Sequence, residues 1–437
     1  MVIRRSAFGL VLVAGLAGPM VGAGAAPIAT PLAGSFAPFN EVSNVSGREL
    51  GTTFVDLRSS PGGNRFVFIA TLTGDTSTNR GVFEMTTGST DITLRVQRGE
   101  ALPADPGSSR AINLFNGAAQ VNDSGQISFA CNSTGSGSPT LFIMRDTAGQ
   151  RDLIASNSEV VPGIPGASFA GANRTEAILN DGRVLYSFSI NEPGVPQNDQ
   201  SKWLADELIV RANDSSFTPG RLPDGNPGLT DWGDFTQDRM RPLSQTGDSF
   251  VWLGRDNASV IGDRIDIVAV NNVAVVESRR PIPGQTGLGD VTSITGTWAD
   301  PAGNWFVRGV IGGGEAGLDF VVRNGDVAML RGTPIVPGSD WVWDRQNPTT
   351  TIAGVNFQIG SPDGQDYFIG GWALNQITQE RIEVVVKNGE EIILRSDDPV
   401  DLSGNGQPDD NAFITSFVRE IGTGTALIGD DGALYFL

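Results

Sequence analysis

Seven times along this 437-residue chain a tight turn ending in glycine leads, after a few residues, into an apolar strand former. The glycine and the residue four places on are Gly63 and Val67, Gly125 and Phe129, Gly182 and Tyr186, Gly247 and Val251, Gly303 and Val307, Gly364 and Phe368, and Gly432 and Phe436. Valine, phenylalanine and tyrosine are all strong strand formers. Successive turn glycines are 56 to 68 residues apart. Self-similarity at such a period is the mark of a repeat architecture, in which no unit buries its apolar surface alone.

A second register runs between the turns. Pro-bearing loops recur at Pro103, Pro162-Gly163, Pro219-Gly220, Pro283-Gly284 and Pro337-Gly338, alternating with the glycine turns in constant order. One unit can be parsed in full, as strands over 290–298, 304–311, 318–323 and 327–331. Asn324-Gly325 separates the last two, and Asn388-Gly389 does the same in the next unit. Asn-Gly between apolar runs is a hairpin signal, because both residues accept the positive φ of a type I′ turn. Four short antiparallel strands per unit make one propeller blade. Runs such as Phe320-Val321-Val322 and Val384-Val385-Val386 alternate poorly, as expected of strands buried on both faces. Gly and Pro, 57 and 25 residues, make up about 19 % of the chain against a typical ~12 %, which suits many strands and many turns.

The expected fold is therefore all-β, a seven-bladed propeller of roughly 60-residue, four-stranded blades. Six or eight blades, tandem β-sandwiches or another repeat are the alternatives. Past Gly432 only one strand remains, so the final blade is expected to be completed by part of 26–39, which would remove the free edges of the ring. Residues 1–25 read as a secretory leader, with Arg4 and Arg5 before an apolar stretch and Ala23-Gly24-Ala25 as a cleavage pattern. Residues 26–437 then form a single propeller domain, secreted or periplasmic, and expected to be a monomer. No later run reaches the ~20 apolar residues of a membrane span, so no membrane insertion is expected.

The units around Asn122-Asp123-Ser124-Gly125-Gln126-Ile127-Ser128-Phe129, followed by a loop of the Glu159-Val160-Val161-Pro162-Gly163 kind, resemble the uncharacterised exported repeat proteins common in planctomycete bacteria. The resemblance covers nearly all of 26–437. It implies an exported propeller-like architecture and carries over no activity and no catalytic residues. Gln245-Thr246-Gly247 and the enlarged loop between Arg211 and Phe235 depart from its pattern.

Composition removes several chemistries. There is no histidine, which excludes His-based triads, His-ligated zinc and imidazole proton shuttles. The formal charge of −19 disfavours nucleic acid and anionic membranes, both of which need a basic footprint. Of 30 basic residues only Lys202 and Lys387 are lysines, which reads as background composition before any dedicated use of arginine. Cys131 is alone, so there is no intrachain disulfide and no cysteine metal cluster.

Three features carry candidate chemistry. Asp401, Ser403, Asn405 and Asp409 fall at positions 1, 3, 5 and 9 of a calcium-type loop with Gly406 at position 6, although position 12 is Ala412 where a bidentate Glu belongs. Calcium is thus the one cofactor considered, weighed against a plain acidic turn. Trp232, Trp341 and Trp343 stand in stretches read as loops beside Asp231, Asp340, Asp344 and Arg345, where exposed aromatics could hold a sugar or a peptide; the bland alternative is that they fold back over the ring. Ser361-Pro362-Asp363-Gly364 touches on the Asp-box of propeller glycosidases but places its glycine one position early, so it reads as a capped turn. No pair of acids can be singled out as catalytic. The leading expectation is a non-catalytic extracytoplasmic propeller that binds a polysaccharide or an envelope protein. A carboxylate-dependent glycoside hydrolase or lyase and a purely structural envelope component are the alternatives.

Overall fold

The computed structural model describes residues 10–14, 29–34, 40–102, 110–135, 139–157, 159–194, 199–217, 219, 231–235, 240–257, 264–312, 317–346, 354–401, 407, 413–414 and 426–436. Among them all extended structure is antiparallel, and no helix is long and apolar enough to cross a membrane.

Six sheets are each built from one contiguous stretch of chain. In the first blade Leu50–Ser59, Arg65–Leu72, Arg80–Thr86 and Thr93–Gln97 lie side by side in sequence order. The third blade (Ser168–Ile178 to Glu207–Arg211) and the fifth (Val291–Ala299 to Asp326–Leu330) repeat that order. In the second, fourth and sixth blades the first strand is broken in two. Its pieces are Ile112–Phe115 and Gln120–Val121, Trp232–Asp234 and Arg241–Pro242, and Trp341–Asp344 and Val355–Gly360. The unbroken first strands achieve a similar bend with register shifts, at Ala170/Asn173 and Thr175/Ala177 in the third blade.

The expectation of seven equivalent blades sealed by 26–39 is corrected here. Six blades are complete within Leu50–Arg395. The remaining strands form a composite sheet from both ends of the chain, in the order Ala29–Gly34, Leu10–Ala14, Leu434–Phe436, Ala426–Ile428. The strand beside Leu434–Phe436 is not drawn from 26–39 but is Leu10–Ala14, with Leu12 opposite Phe436 and Ala14 opposite Leu434. Ala29–Gly34 takes the outer edge, where Pro31 withholds no needed ladder donor from a second neighbour. The physical reason for the discrepancy is that the repeat pattern marks the turn and strand after Gly432, while the pairing partner is chosen by apolar β-propensity, which Leu10-Val11-Leu12-Val13 supplies best. Those same residues belong to the expected leader, and one segment cannot serve both uses in a chain cut after Ala25.

Every strand interior serves two cores. In the first blade Phe66, Phe68 and Ala70 face one apolar cluster, while Val67 and Ile69 face the next. Phe250 and Trp252 pack toward the third blade, whereas Val251 and Leu253 pack toward the fifth. Val384 and Val386 pack toward the fifth blade, and Val385 faces the composite sheet. The composite sheet shares one core with the sixth blade through Ile428 and Leu434, and another with the first through Leu427 and Tyr435. Successive side chains of a strand point to opposite faces, so near-continuous apolar runs are what two-sided burial demands.

All seven turn glycines have φ between 71° and 94°. In each, the glycine N–H donates to the carbonyl three residues back, as Gly125 does to Asn122 at 3.0 Å and Gly303 to Asp300 at 3.1 Å. Asn324 and Gly325, and Asn388 and Gly389, also have positive φ, as a type I′ hairpin requires. The Pro loops have a structural role too. Isolated bridges Ala101↔Ala111, Val160↔Ser168, Pro281↔Asp290 and Pro334↔Val342 clip the loop leaving one blade to the chain entering the next.

Arginine welds neighbouring blades at the turns. Arg95 donates to the Gly125 carbonyl at 3.2 Å, Arg145 to Gly182 at 2.9 Å, Arg183 to Thr246 at 2.7 Å and Arg323 to Gly364 at 2.9 Å. In each case the guanidinium comes from one blade and the carbonyl from the turn of the next. A guanidinium reaches a carbonyl and keeps further donors for a carboxylate, as Arg95 does with Glu84 and with Asp146 at 2.6 Å. A glycine substitution pair tests how tightly the turns are packed. At Gly149 a Cβ meets nothing within 4 Å, so Gly149→Ala is expected to cost about 1–2 kcal/mol of left-handed backbone strain. At Gly63 a Cβ would lie 2.8 Å from the Asp430 nitrogen and from Pro362 Cγ. Denaturant unfolding should therefore show a clearly larger loss for Gly63→Ala.

Candidate functional site

The tryptophans read as loop residues are strand residues. Trp341–Asp344 pairs with Tyr367–Asn375, placing Trp343 opposite Ala373, and Trp232–Asp234 pairs with Phe250–Asp256. Trp232 is fully buried against Trp252 and Phe235, and its indole N–H donates to Asn272 Oδ1 at 2.9 Å. Trp343 is buried in the core between the fifth and sixth blades, and Trp341 is half-buried at its margin. Arg345 is buried as well. Its Nε and Nη2 grip both oxygens of Asp319 at 2.6 and 3.1 Å, and Nη2 also donates to the Gly317 carbonyl at 3.0 Å. The Trp232 and Trp343 indoles and the Arg345 guanidinium are thus engaged inside the protein, while Trp341 keeps part of its surface exposed.

Of the calcium-type loop, Ser403, Asn405 and Asp409 lie outside the described residues, and Asp401 is buried. Among the described residues no group of three or more acidic or cysteine side chains is placed to hold a metal ion. The turn at Ser361 is a capped turn. Ser361 Oγ donates to Asp363 Oδ1 at 2.6 Å and the Gln365 N–H donates to the same oxygen at 3.1 Å. The Ser361 hydroxyl holds the Asp363 carboxyl below its ordinary range, and the Gln365 amide adds to this.

What sequence reasoning did not single out is the axis of the ring. On the side of the glycine turns a cavity of about 100 Å³ is lined by first-strand or turn residues of all six blades and of the composite sheet. Its polar lining converges from positions five or six before the turn glycines: Arg58, Gln120, Glu176, Arg241 and the indole of Trp298. That offset was available in the sequence, since each of these residues is a charged, amide or indole side chain five or six places before its turn glycine. Their convergence is a property of the closed ring and of no single repeat.

Glu176 is the one carboxylate among the lining residues, and its charge is spent internally. Lys202 Nζ donates to Oε1 at 2.9 Å, the Met240 N–H donates to Oε2 at 2.7 Å, and Arg174 Nε lies 3.3 Å from Oε1. Lys202 and Glu176 are both buried, and Lys202 sits 5.7 Å above the Phe235 ring. Arg241 donates from Nε to the Thr297 carbonyl at 3.0 Å and lies over the Trp298 ring at 4.6 Å, a cation–π contact that fixes its plane. Three further polar atoms of lining residues, Gln120 Nε2, Trp298 Nε1 and Gln245 Oε1, are buried without a hydrogen-bond partner. The lining residues therefore include two guanidinium groups and one acid that is paired inside the protein.

Comparison with known proteins places this geometry in context. Residues 47–220, which run through the first three blades, match a family of unknown function, DUF7453. No curated protein matches the chain in sequence. Among solved structures the Dos1 propeller is similar at 12% identity, over 93% of this chain and 82% of that one, with a TM-score of 0.36. The Hadza microbial sialidase Hz136 is similar at 10% identity over 73% of this chain and 63% of its own, TM-score 0.32. The α-L-arabinofuranosidase Arb93A from Fusarium graminearum is similar at 9% identity over 76% and 93%, TM-score 0.32.

Two measurements check the electrostatics described here. Lys202→Met leaves Glu176 without its lysine in a dry setting and is expected to cost about 3–5 kcal/mol in denaturant unfolding, with most of it recovered in Lys202→Met/Glu176→Gln. Burial pushes the Cys131 thiol up to about 12. It should resist alkylation at pH 8 in the native state and react at the rate of a free thiol once the protein is unfolded.

Proposed function

We propose that this chain acts outside the cytoplasm as a non-catalytic binding propeller whose ligand engages the turn-side mouth of the axis. The partner class is an envelope or extracellular polymer, a polysaccharide or a protein. The observation that carries this reading is the axial cavity, where residues of all six blades and of the composite sheet meet and the single acid is already neutralised by Lys202. At about 100 Å³ the cavity is well below the ~300–1,000 Å³ of sites that enclose a drug-sized ligand, so it suits one protruding group of a ligand that stays mostly outside.

Carboxylate-dependent glycoside hydrolysis asks for two acids facing one bond, about 5–9.5 Å apart. Among the residues lining the cavity Glu176 has no such partner. The reading is tested with the full chain and immobilised acidic polysaccharides and envelope proteins. Retention without new reducing ends or cleaved chains is expected, together with loss of retention in Ala299→Trp, which fills the cavity from its wall. Reducing ends that depend on Glu176 would replace this reading with the hydrolase. Retention untouched by Ala299→Trp would remove the ligand from the mouth.

A further inference from the structure

We infer that two copies of this chain pair through the outer edge of the fourth blade, Val273–Glu277, each edge adding antiparallel to the other across a two-fold axis. This departs from the monomer expected from the sequence.

A propeller hides the faces of its sheets but leaves their outermost strands at the rim, where one row of backbone N–H and C=O groups points away from the sheet. The rim strands of the six blades are Thr93–Gln97, Gln150–Ser156, Glu207–Arg211, Val273–Glu277, Asp326–Leu330 and Glu391–Arg395. Each carries one register shift against its inner neighbour, so the bulge that discourages pairing is common to all six. Charge is what separates them. Five hold a charged side chain that is exposed or half-buried: Arg95, Asp152, Glu207, Asp326 and Glu391. In the fourth blade the one charged rim residue is Glu277, which is 1% exposed. The rest of that strand is Val273-Ala274-Val275-Val276, the end of a ten-residue stretch, 267–276, without a charge. Val273 is 52% exposed and Val275 is half-buried. Among the described residues no strand lies beyond Val273–Glu277, and its first four residues make no backbone hydrogen bond outside their ladder with Asp266–Val270. An uncharged, β-branched strand with one open edge is a template for another strand.

The same comparison selects the occupant. Any of the other five rim strands laid against this edge would bring a charged side chain to the valines, whereas the edge laid on itself brings none. Asn271 and Asn272 precede the strand, and Arg279 and Arg280 follow it. Antiparallel pairing centred near Val275 sets the arginines of each copy beside the asparagines of the other, while parallel pairing would gather four guanidinium groups at one end. A two-fold axis gives the antiparallel arrangement and closes it, so no edge is left to propagate.

The neighbouring seam adds apolar surface. Val270 ends the third strand of the fourth blade, at the place where Arg323 in the fifth reaches across to the Gly364 carbonyl. Val270, Val275 and Trp305 are half-buried at the margin of the core between the fourth and fifth blades. A single edge pairing falls short of the ~1,200 Å² at which stable interfaces begin, so the dimer is expected to be reversible. Because antiparallel pairing reverses strand direction, the turn sides of the two copies face opposite ways.

The test is sedimentation velocity on the purified full chain from micromolar to sub-millimolar concentration. A monomer–dimer equilibrium is expected. Val273→Lys and Val275→Lys place a charge on the edge and should each weaken dimerisation by about tenfold or more, with an unchanged melting temperature. Ile377→Lys removes an apolar side chain that is 72% exposed in another blade and should leave dimerisation as it was. Under mild oxidation Val275→Cys should give a linked dimer and Arg279→Cys should not, since only a parallel pairing brings both positions together. A chain that is monomeric throughout the range overturns the inference, and so does a dimer that survives both lysine variants. Assembly that grows past the dimer overturns the two-fold closure. Monomers whose retention on an immobilised envelope protein is lost in Val275→Lys would give the edge to that protein and overturn the self-pairing.

Discussion

The structure depends on the contact between one blade and the next. A four-stranded sheet with apolar side chains on both faces cannot exist by itself, and here every sheet has its two faces covered by different neighbours, as the split of Val67 and Phe68 between two cores illustrates. Apolar packing sets the stacking but leaves the turn carbonyls at one end of each sheet in need of donors. Arg95, Arg145, Arg183 and Arg323 meet that need from the preceding blade. The scarcity of lysine thereby acquires a physical account. A planar fork can cap a carbonyl and pair with an acid at the same time, whereas a point charge on a flexible stem does so with less geometric control.

Much of the architecture was readable because its elements are local. A glycine must occupy each turn position with φ near 71–94°, and Asn-Gly must close each type I′ hairpin, so these residues betray the backbone wherever they stand. Strand bounds followed closely, with Leu318–Arg323 as expected from its turn. What failed was non-local. The choice of Leu10–Ala14 over part of 26–39 beside Leu434–Phe436 is a pairing between the two ends of the chain, and no repeat register encodes it. The four-residue strand Trp341–Asp344 was hidden for another reason. It is the first half of a broken strand, and four residues between turn-rich stretches look like a loop when the sheet that receives them is out of view.

The axial cavity sits between these extremes. Each of Arg58, Gln120, Glu176, Arg241 and Trp298 stands five or six places before a turn glycine, so the list could be compiled from sequence. Its meaning could not, because an unpaired Gln120 amide and a neutralised Glu176 are statements about neighbours contributed by other blades. The repeat supplies the common frame, and the departures from it at that offset supply the chemistry. In this respect the conspicuous tryptophans misled: Trp232 and Trp343 are large because the cores between blades are large.

The composite sheet has a consequence for how the molecule is made. It joins Leu12 to Phe436 and therefore spans almost the whole polypeptide, whereas each of the six blades closes within a few dozen residues. Blades can assemble in order as the chain emerges, but the circle waits for its last dozen residues, and the loop-closure entropy of nearly the full length falls on that one step. Until then the first and sixth blades each keep an apolar face open to solvent. The join between the two ends is thus the one contact on which the covering of both of those faces depends.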